Sequence, residues 1–474
     1  MTWTIADLEK WDERISELAK EFGLDSYPQE FEICDSDQML DYMAYSGMPS
    51  HYPHWSFGKT RDILKTRYDY GVAGLPYEMV INSNPALAYL MRDNSLTMQA
   101  LTIGHVYGHN DFFKNNFTFK STRADLIIET FKVHAKRVRA YVEDPSIGLE
   151  RVEQILDAAH TVALNCRRNL HIRKMSRAEQ EEQIRGEFIK PYRKYDSLAQ
   201  KPEFDEKKLE AALNKNPLKP EEDLLLFIRD NNHSLKEWEK DLLTIVHERN
   251  KYFVPQIETK IMNEGWASFW HYRIMYALRE KYPCEFTQGM MVEFIKSHSQ
   301  VLRPHHGELN PYHLGFKIWE DIEKRWNGSS KQDIEKYGKA NFSKSGREKI
   351  FEVREVDRDT SFSRQYLTED IIRELDLFEY APMGDKFVVT KVADKEEWKA
   401  IRETLIQNTG TNHIPVITVE SEQRGDLFLK HQHDGRDLQM EYADKTLKYT
   451  KQLWSGRIIF DTMLEGKTKQ FEMK

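Results

Sequence analysis

Apolar positions recur at helical spacing through most of the chain, and only short runs alternate. Residues 5–22 interleave charged and apolar side chains and predict an amphipathic helix. Residues 29–34 (QEFEIC) alternate and predict a short strand, 36–45 a helix, and a further helix runs to Tyr70. Residues 77–83 (YEMVINS) read as a second strand, followed by Asn84-Pro85 and then helix. Residues 94–116 predict an uninterrupted helix. Ser95 is placed to cap it, and Leu96, Leu101, Ile103, Val106 and Phe112 supply its apolar surface. Two more helices are expected, at 123–143 and 148–169.

The periodicity lapses over 172–222, which is rich in Lys, Arg, Glu and Asp and holds several prolines. That composition predicts a charged flexible insertion, loosely helical at most. Apolar helices return from Leu224, at 235–249, 258–275, 284–299 and 316–326, with Pro255 marking or kinking the join into the second of these. From about Arg347 the pattern changes again. Residues 366–375 are helical, 386–391, 414–419, 426–431 and 457–461 are strand-like, and helices near 395–408 and 442–454 lie between them. The expected fold class is therefore α+β and mostly helical, a helical core with a short sheet plus a C-terminal α+β domain. The expected segments are 1–171 and 223–346 as two parts of the core, 172–222 as the insertion, and 347–474 as the C-terminal domain.

Composition narrows the function. A net charge of −8 and a pI near 6.1 argue against nucleic acid as the main partner. A mean hydropathy of −0.70 and the lack of a long apolar run exclude a transmembrane helix. The N-terminal stretch lacks the basic start and apolar centre of a signal peptide. Cys34, Cys166 and Cys284 are widely spread and form no CxxC pair, so reduced thiols and a cytoplasmic location are expected.

The chemistry concentrates in residues 94–116. His105 and His109 are four residues apart on a helix, so their imidazoles lie only ~40° apart around its axis and can reach one divalent ion. The spacing resembles the HExxH helix of zinc peptidases, with Val106 where that motif carries its general base. The strand before the histidine helix resembles the zincin core. Glu264 and His271 on the 258–275 helix are two turns apart and share a face, and a glutamate from a second helix is the third ligand in one zincin type. His105, His109 and Glu264 thus form a candidate catalytic Zn²⁺ set with an open position. The base that Val106 cannot supply is then His271, which alternatively serves as a fourth ligand. Glu248 and Glu258 are fallback bases. Asp111 is placed to orient a histidine from behind, and Tyr272 and Tyr312 are candidate donors to an oxyanion.

Other histidines have blander readings. His51 and His54 sit among Tyr52, Trp55 and Phe57, where packing is the commoner role. His134 and His160 lack ligand-spaced partners. His298, Arg303, His305 and His306 cluster before Pro311, and Arg303 pairs either with an anionic group or in a buried ion pair. His431 and His433 alternate on a strand-like stretch without a third ligand in sequence reach, which favours a solvated pair.

Several long motifs together carry a family resemblance: HVYGHNDFFKNN, ETKIMNEGWASFWHYRI, HWSFGK, NPYHLGFKIWEDIEKRW and the terminal LFLKHQHDG…LKYTKQLW. The chain resembles the stage V sporulation protein R (SpoVR) family over nearly its whole length. The resemblance implies a cytoplasmic protein of spore formation, needed for the spore cortex, and a possible link to a serine protein kinase, beside which relatives occur in non-sporulating bacteria. Two functions follow as expectations. One is a zincin-like metal enzyme that hydrolyses an amide or peptide bond in a peptidoglycan precursor or a regulatory protein. The other is a non-enzymatic regulator or scaffold of cortex assembly with a degenerate core, which the valine at position 106 favours.

Overall fold

The protein is described from a computed structural model covering residues 3–48, 50–70, 78–168, 172–194, 205–303, 309–328, 344–377, 379–383, 386–391 and 397–473. It is mostly helical, with small sheets. The chain divides into two compact units, Met1–Lys136 with Phe253–His413 and Arg137–Tyr252 with Ile414–Lys474. This division cuts across the sequential segments expected from patterning. The helices Gly346–Val356, Asp359–Tyr366 and Glu369–Glu374 place Ile350, Val353, Phe362 and Ile372 in the same core as Trp266, Trp270 and Trp319. Among the described residues, no helix is long and apolar enough to cross a membrane.

The first unit holds a three-stranded sheet of β1 (Gln29–Cys34), β2 (Glu78–Ile81) and β3 (Ala86–Met91), in the order β1-β3-β2. Tyr77, the expected start of β2, lies outside the described residues. β3 pairs parallel to β1 and antiparallel to β2. It corrects the helix expected after Pro85. As the central strand it is covered on both faces, with Ala86, Ala88, Tyr89, Leu90 and Met91 all buried, so no alternation marks it in the sequence. The unit also contains an antiparallel pair of strands, β4 (Glu379–Met383) and β5 (Lys386–Lys391).

Three helices form the heart of this unit. Leu96–Asn115 starts at Ser95, whose hydroxyl accepts from the Met98 N–H, and every residue from Thr97 to Phe113 is buried. Lys260–Lys281 packs against it and against Pro311–Trp326. Both Asp359 carboxylate oxygens accept from the first turn of Lys260–Lys281, at 2.8 Å from the Ile261 and Met262 nitrogens. Pro255 sits within the last turn of the preceding helix, Glu237–Glu258, and the break follows at Thr259. Pro311–Trp326 begins five residues earlier than expected, because the Asn310 side chain caps it and proline suits the first turn.

Small residues let these backbones approach. A Cβ on Gly108 would stand 2.6 Å from Ala267 Cα, and one on Gly265 would stand 2.4 Å from Gly315. Gly104 faces His271 and Ile274 while Gly108 faces Ala267, so the first two helices run antiparallel. That direction decides which side chains meet below.

The second unit carries a sheet of β6 (Ile417–Gln423), β7 (Asp426–His431), β8 (Ile458–Leu464) and β9 (Lys467–Met473), in that order. β7 and β8 are parallel, and the Met440–Trp454 helix makes the crossover between them. β9 was not expected; its alternation is masked by lysines on an exposed edge strand. Within 172–222, helices Arg177–Lys194 and Glu206–Leu213 pack around Ile184, Leu209 and Leu218. The charged stretch thus has a small apolar core of its own.

Candidate metal centre

The Leu96–Asn115 helix is buried on all sides, so His105 and His109 point into protein whichever way they face. Their rings meet edge to face with centroids 4.6 Å apart. Glu264 arrives from the neighbouring helix, with Oε2 3.4 Å from His109 Nε2 and 3.8 Å from His105 Nε2. The close crossing at Gly108 and Ala267 permits this approach, three residues from Glu264. Sequence reasoning brought these three residues together, and the structure places them together.

A fourth group, Glu78, was not singled out in the sequence. It opens β2 and places Oε1 3.9 Å from His105 Nε2. Glu78, His105 and His109 each present a ligand atom within 4.8 Å of the others. The signal available was a carboxylate inside an otherwise apolar strand, EMVI. Strand patterning alone does not say which helix such a residue faces.

The donor geometry fits a divalent ion. Two atoms each ~2.0–2.2 Å from one ion stand about 3.4 Å apart at a tetrahedral angle. The observed separations of 3.4, 3.8 and 3.9 Å need only small side-chain adjustments to meet that value. Among the described residues the buried His105 Nε2 has no hydrogen-bond partner, although two carboxylates face it beyond hydrogen-bonding distance. His109 is held from behind, its Nδ1 donating to Asn263 Oδ1 at 2.8 Å, which leaves Nε2 free to ligate.

The charges divide unevenly. Burial pushes the Glu78 carboxyl above the usual range, and the histidines only partly offset it. Burial acts likewise on Glu264, but the two imidazoles outweigh it and hold that carboxyl well below the usual range. For His109 burial favours the neutral ring, and Glu264 with Asn263 reverses this and raises its pKa. Tyr312 stacks on His105, and the Glu264 charge, with burial, pushes its phenol well above the usual value.

His271 does not face this cluster, contrary to the role of base or fourth ligand expected from its shared face with Glu264. Because the helices run antiparallel, Glu264 lies level with His109 while His271 lies behind His105. Its Nδ1 stands 2.8 Å from His105 Nδ1, and its Nε2 stands 2.8 Å from His298 Nδ1. Burial, then the neighbouring imidazoles, holds the His271 pKa well below normal, and burial holds that of His298 down at about 4.

Other candidates go elsewhere. Asp111 orients no histidine; fully buried itself, it accepts from Arg354, Trp266 and the Asp25 N–H in a structural network. Glu258 bonds Arg358 and Thr411, and Glu248 lies beside His247 in the second unit. Tyr272 packs on Tyr276 and His298. His51 sits in a box with Tyr45, Tyr52, Phe57 and Phe131, and His54 caps the Trp55–Asp69 helix. His134 is buried beside Phe131, and His160 is partly exposed. Arg303 is exposed, while His305 and His306 lie outside the described residues. In the second unit His431 bonds Thr462 and His433 bonds Asp437.

Two family models match the chain. One, described as SpoVR like protein, covers residues 2–414, and the other, SpoVR-like C-terminal domain, covers residues 412–465. Their junction falls at the His413–Ile414 boundary between the two units. An Escherichia coli (strain K12) protein titled "Uncharacterized protein YcgB" is 34% identical over 485 residues, spanning 98% of this chain and 92% of that protein. No solved structure matches.

Proposed function

The chain belongs to the SpoVR family, and from that premise we propose that it is a metal-dependent hydrolase of an amide or peptide bond, built on a zincin-like core. His105, His109 and Glu264 hold the ion, with Zn²⁺ the expected metal. The observation that carries this reading is the convergence of both Nε2 atoms on Glu264 at 3.4 and 3.8 Å inside the fold. A divalent ion held there supplies Lewis acidity toward a carbonyl oxygen. The chain's own residues supply the remainder. Glu78 approaches His105 from the sheet and is the candidate to take and return a proton at Oε1, the task Val106 cannot perform. Tyr312 stacks on the His105 ring and helps fix its orientation. Asn263 holds the His109 proton on Nδ1.

On this reading the substrate is a peptidoglycan precursor or a regulatory protein, the setting is spore cortex formation in the cytoplasm, and a serine protein kinase pathway is the proposed partner. A second reading rests on the same 3.9 Å approach of Glu78. As a fourth ligand, Glu78 closes the site and makes the ion structural, and the protein is then a regulator or scaffold. Metal analysis of protein purified without chelator tests both. His105→Ala and Glu264→Ala lose stoichiometric metal if the centre exists; metal-free wild-type protein that stays so when Zn²⁺ is supplied removes it. Glu78→Gln that keeps metal but loses hydrolysis identifies a base, whereas loss of metal identifies a ligand.

A further inference from the structure

Three buried histidines from three helices form one hydrogen-bonded chain behind the metal centre. His105 lies on Leu96–Asn115, His271 on Lys260–Lys281 and His298 on Gln288–Val301. The links are His105 Nδ1 to His271 Nδ1 and His271 Nε2 to His298 Nδ1, each 2.8 Å. With one proton on each ring, the two links restrict where those protons sit.

Only two proton placements satisfy both links. In the first, His105 carries its proton on Nδ1 and donates to His271. His271 then carries its proton on Nε2 and donates to His298, whose own proton sits on Nε2. In the second, every proton occupies the opposite nitrogen, and His105 Nε2 is protonated. Either all three rings change tautomer or none does. A cation at His105 Nε2 is compatible only with the first placement.

We propose that His271 and His298 are positioning residues that act as a tautomer lock, holding the His105 proton on Nδ1 so that Nε2 presents a lone pair to the metal centre. The lock deepens the metal reading and rests on it for its purpose; the two 2.8 Å links tie the three tautomers together, so the His105 proton cannot change nitrogen unless both other rings change with it. It also accounts for the orphaned, buried His105 Nε2, since a ring without this lock favours the Nε2-protonated form in water. The chain makes the same provision for His109 through Asn263, with a side-chain carbonyl in place of an imidazole.

The test uses the full-length protein labelled with ¹⁵N-histidine, with His105→Gln identifying the His105 signals. Wild-type protein without added metal is expected to show His105 protonated at Nδ1. His271→Gln retains an acceptor for that proton, and His271→Leu does not. The two variants are expected to melt at similar temperatures, yet His271→Leu should bind Zn²⁺ about 10–100-fold more weakly than wild type, with His271→Gln recovering most of the loss. A merely structural role for His271 would leave the two variants equal in Zn²⁺ affinity. Equal affinities, or a His105 proton on Nε2 in the wild type, overturn the proposal. Failure of wild-type protein to bind Zn²⁺ while His105 keeps its Nδ1 proton sinks the metal reading and leaves the lock standing.

Discussion

The molecule carries two histidine pairs that look alike in sequence and differ in the folded chain. His105 and His109 meet at 4.6 Å between ring centroids in the first unit, and His431 and His433 meet at 5.6 Å in the second. Each pair has geometry that allows a shared ion. Around the first pair, Glu264 and Glu78 arrive from a different helix and a strand. Around the second, each imidazole is taken by a nearby hydroxyl or carboxylate: His431 Nδ1 by Thr462 at 3.0 Å and His433 Nε2 by Asp437 at 3.0 Å. Spacing brings imidazoles together; carboxylates delivered by other elements decide whether they become a binding site.

The largest expected effect breaks that contrast outright. His105→Ala and Glu264→Ala should each abolish stoichiometric metal, a loss on the order of 10³-fold or more in affinity for a site reduced by one of its ligands. His431→Ala and His433→Ala should leave metal content unchanged. Titration of each purified variant with Zn²⁺ checks this. Metal lost in the second pair of variants and kept in the first would invert the comparison.

The next effect tests the helix approach that delivers Glu264. Gly315→Val should destabilise the fold by ~3 kcal/mol or more, since even a Cβ there would stand 2.1 Å from the Ile261 carbonyl oxygen. Glycines such as Gly425, where a Cβ would meet nothing within 4 Å, owe their presence to a positive φ of 88°. Gly425→Asn in the second unit should therefore cost far less. Chemical denaturation midpoints of the two variants separate these cases.

How far the site was legible follows from the same contrast. The helix carrying both histidines, its cap at Ser95 and the partner carboxylate Glu264 were readable, because helical spacing fixes direction within one element. Glu78 was not, since nothing local tells which face of a short strand looks toward a distant helix. His271 was misplaced for a related reason. Sharing a face with Glu264 is a statement about angle, while the antiparallel crossing separates the two along the helix axis and puts one before the rings and the other behind. β3 escaped for lack of alternation in a strand buried on both faces. The three helices over 346–374 fall with the first unit because apolar residues such as Ile350 and Phe362 complete its core, and no linker composition announces where that core ends.

A pH effect distinguishes the units on other grounds. In the second unit His247 Nε2 lies 2.9 Å from Asp223, the cap of Leu224–Asn231. Burial works against its charge, but Asp223 and then Glu248 outweigh it and raise its pKa to about 9. The folded value lies above the unfolded value of about 6.5, so the stabilisation is complete below about pH 6.5 and is lost as pH rises through about 9. The loss should be on the order of 1–3 kcal/mol. Urea midpoints at pH 6 and pH 9.5 should fall for the wild type and fall less for His247→Gln. Equal falls in both proteins would place the pH dependence elsewhere.

The smallest effect asks what a histidine needs beyond a nearby carboxylate. Asn263 Oδ1 accepts from His109 Nδ1 much as Thr462 Oγ1 pairs with His431 Nδ1, so both pairs have one imidazole held from behind. If such a hold only positions a ring that other ligands exploit, Asn263→Ala should weaken Zn²⁺ binding about tenfold, roughly 1.4 kcal/mol, and leave the stoichiometry at one. Thr462→Ala should leave the second unit as indifferent to Zn²⁺ as before. Asn263→Asp should restore or tighten binding, because a carboxylate accepts the same proton and adds negative charge behind the ring. The ordering Asp, Asn, Ala in affinity would show that the rear hydrogen bond tunes a site the front carboxylates create. Equal affinity in all three would mean that the carboxylates alone set the difference between the two histidine pairs.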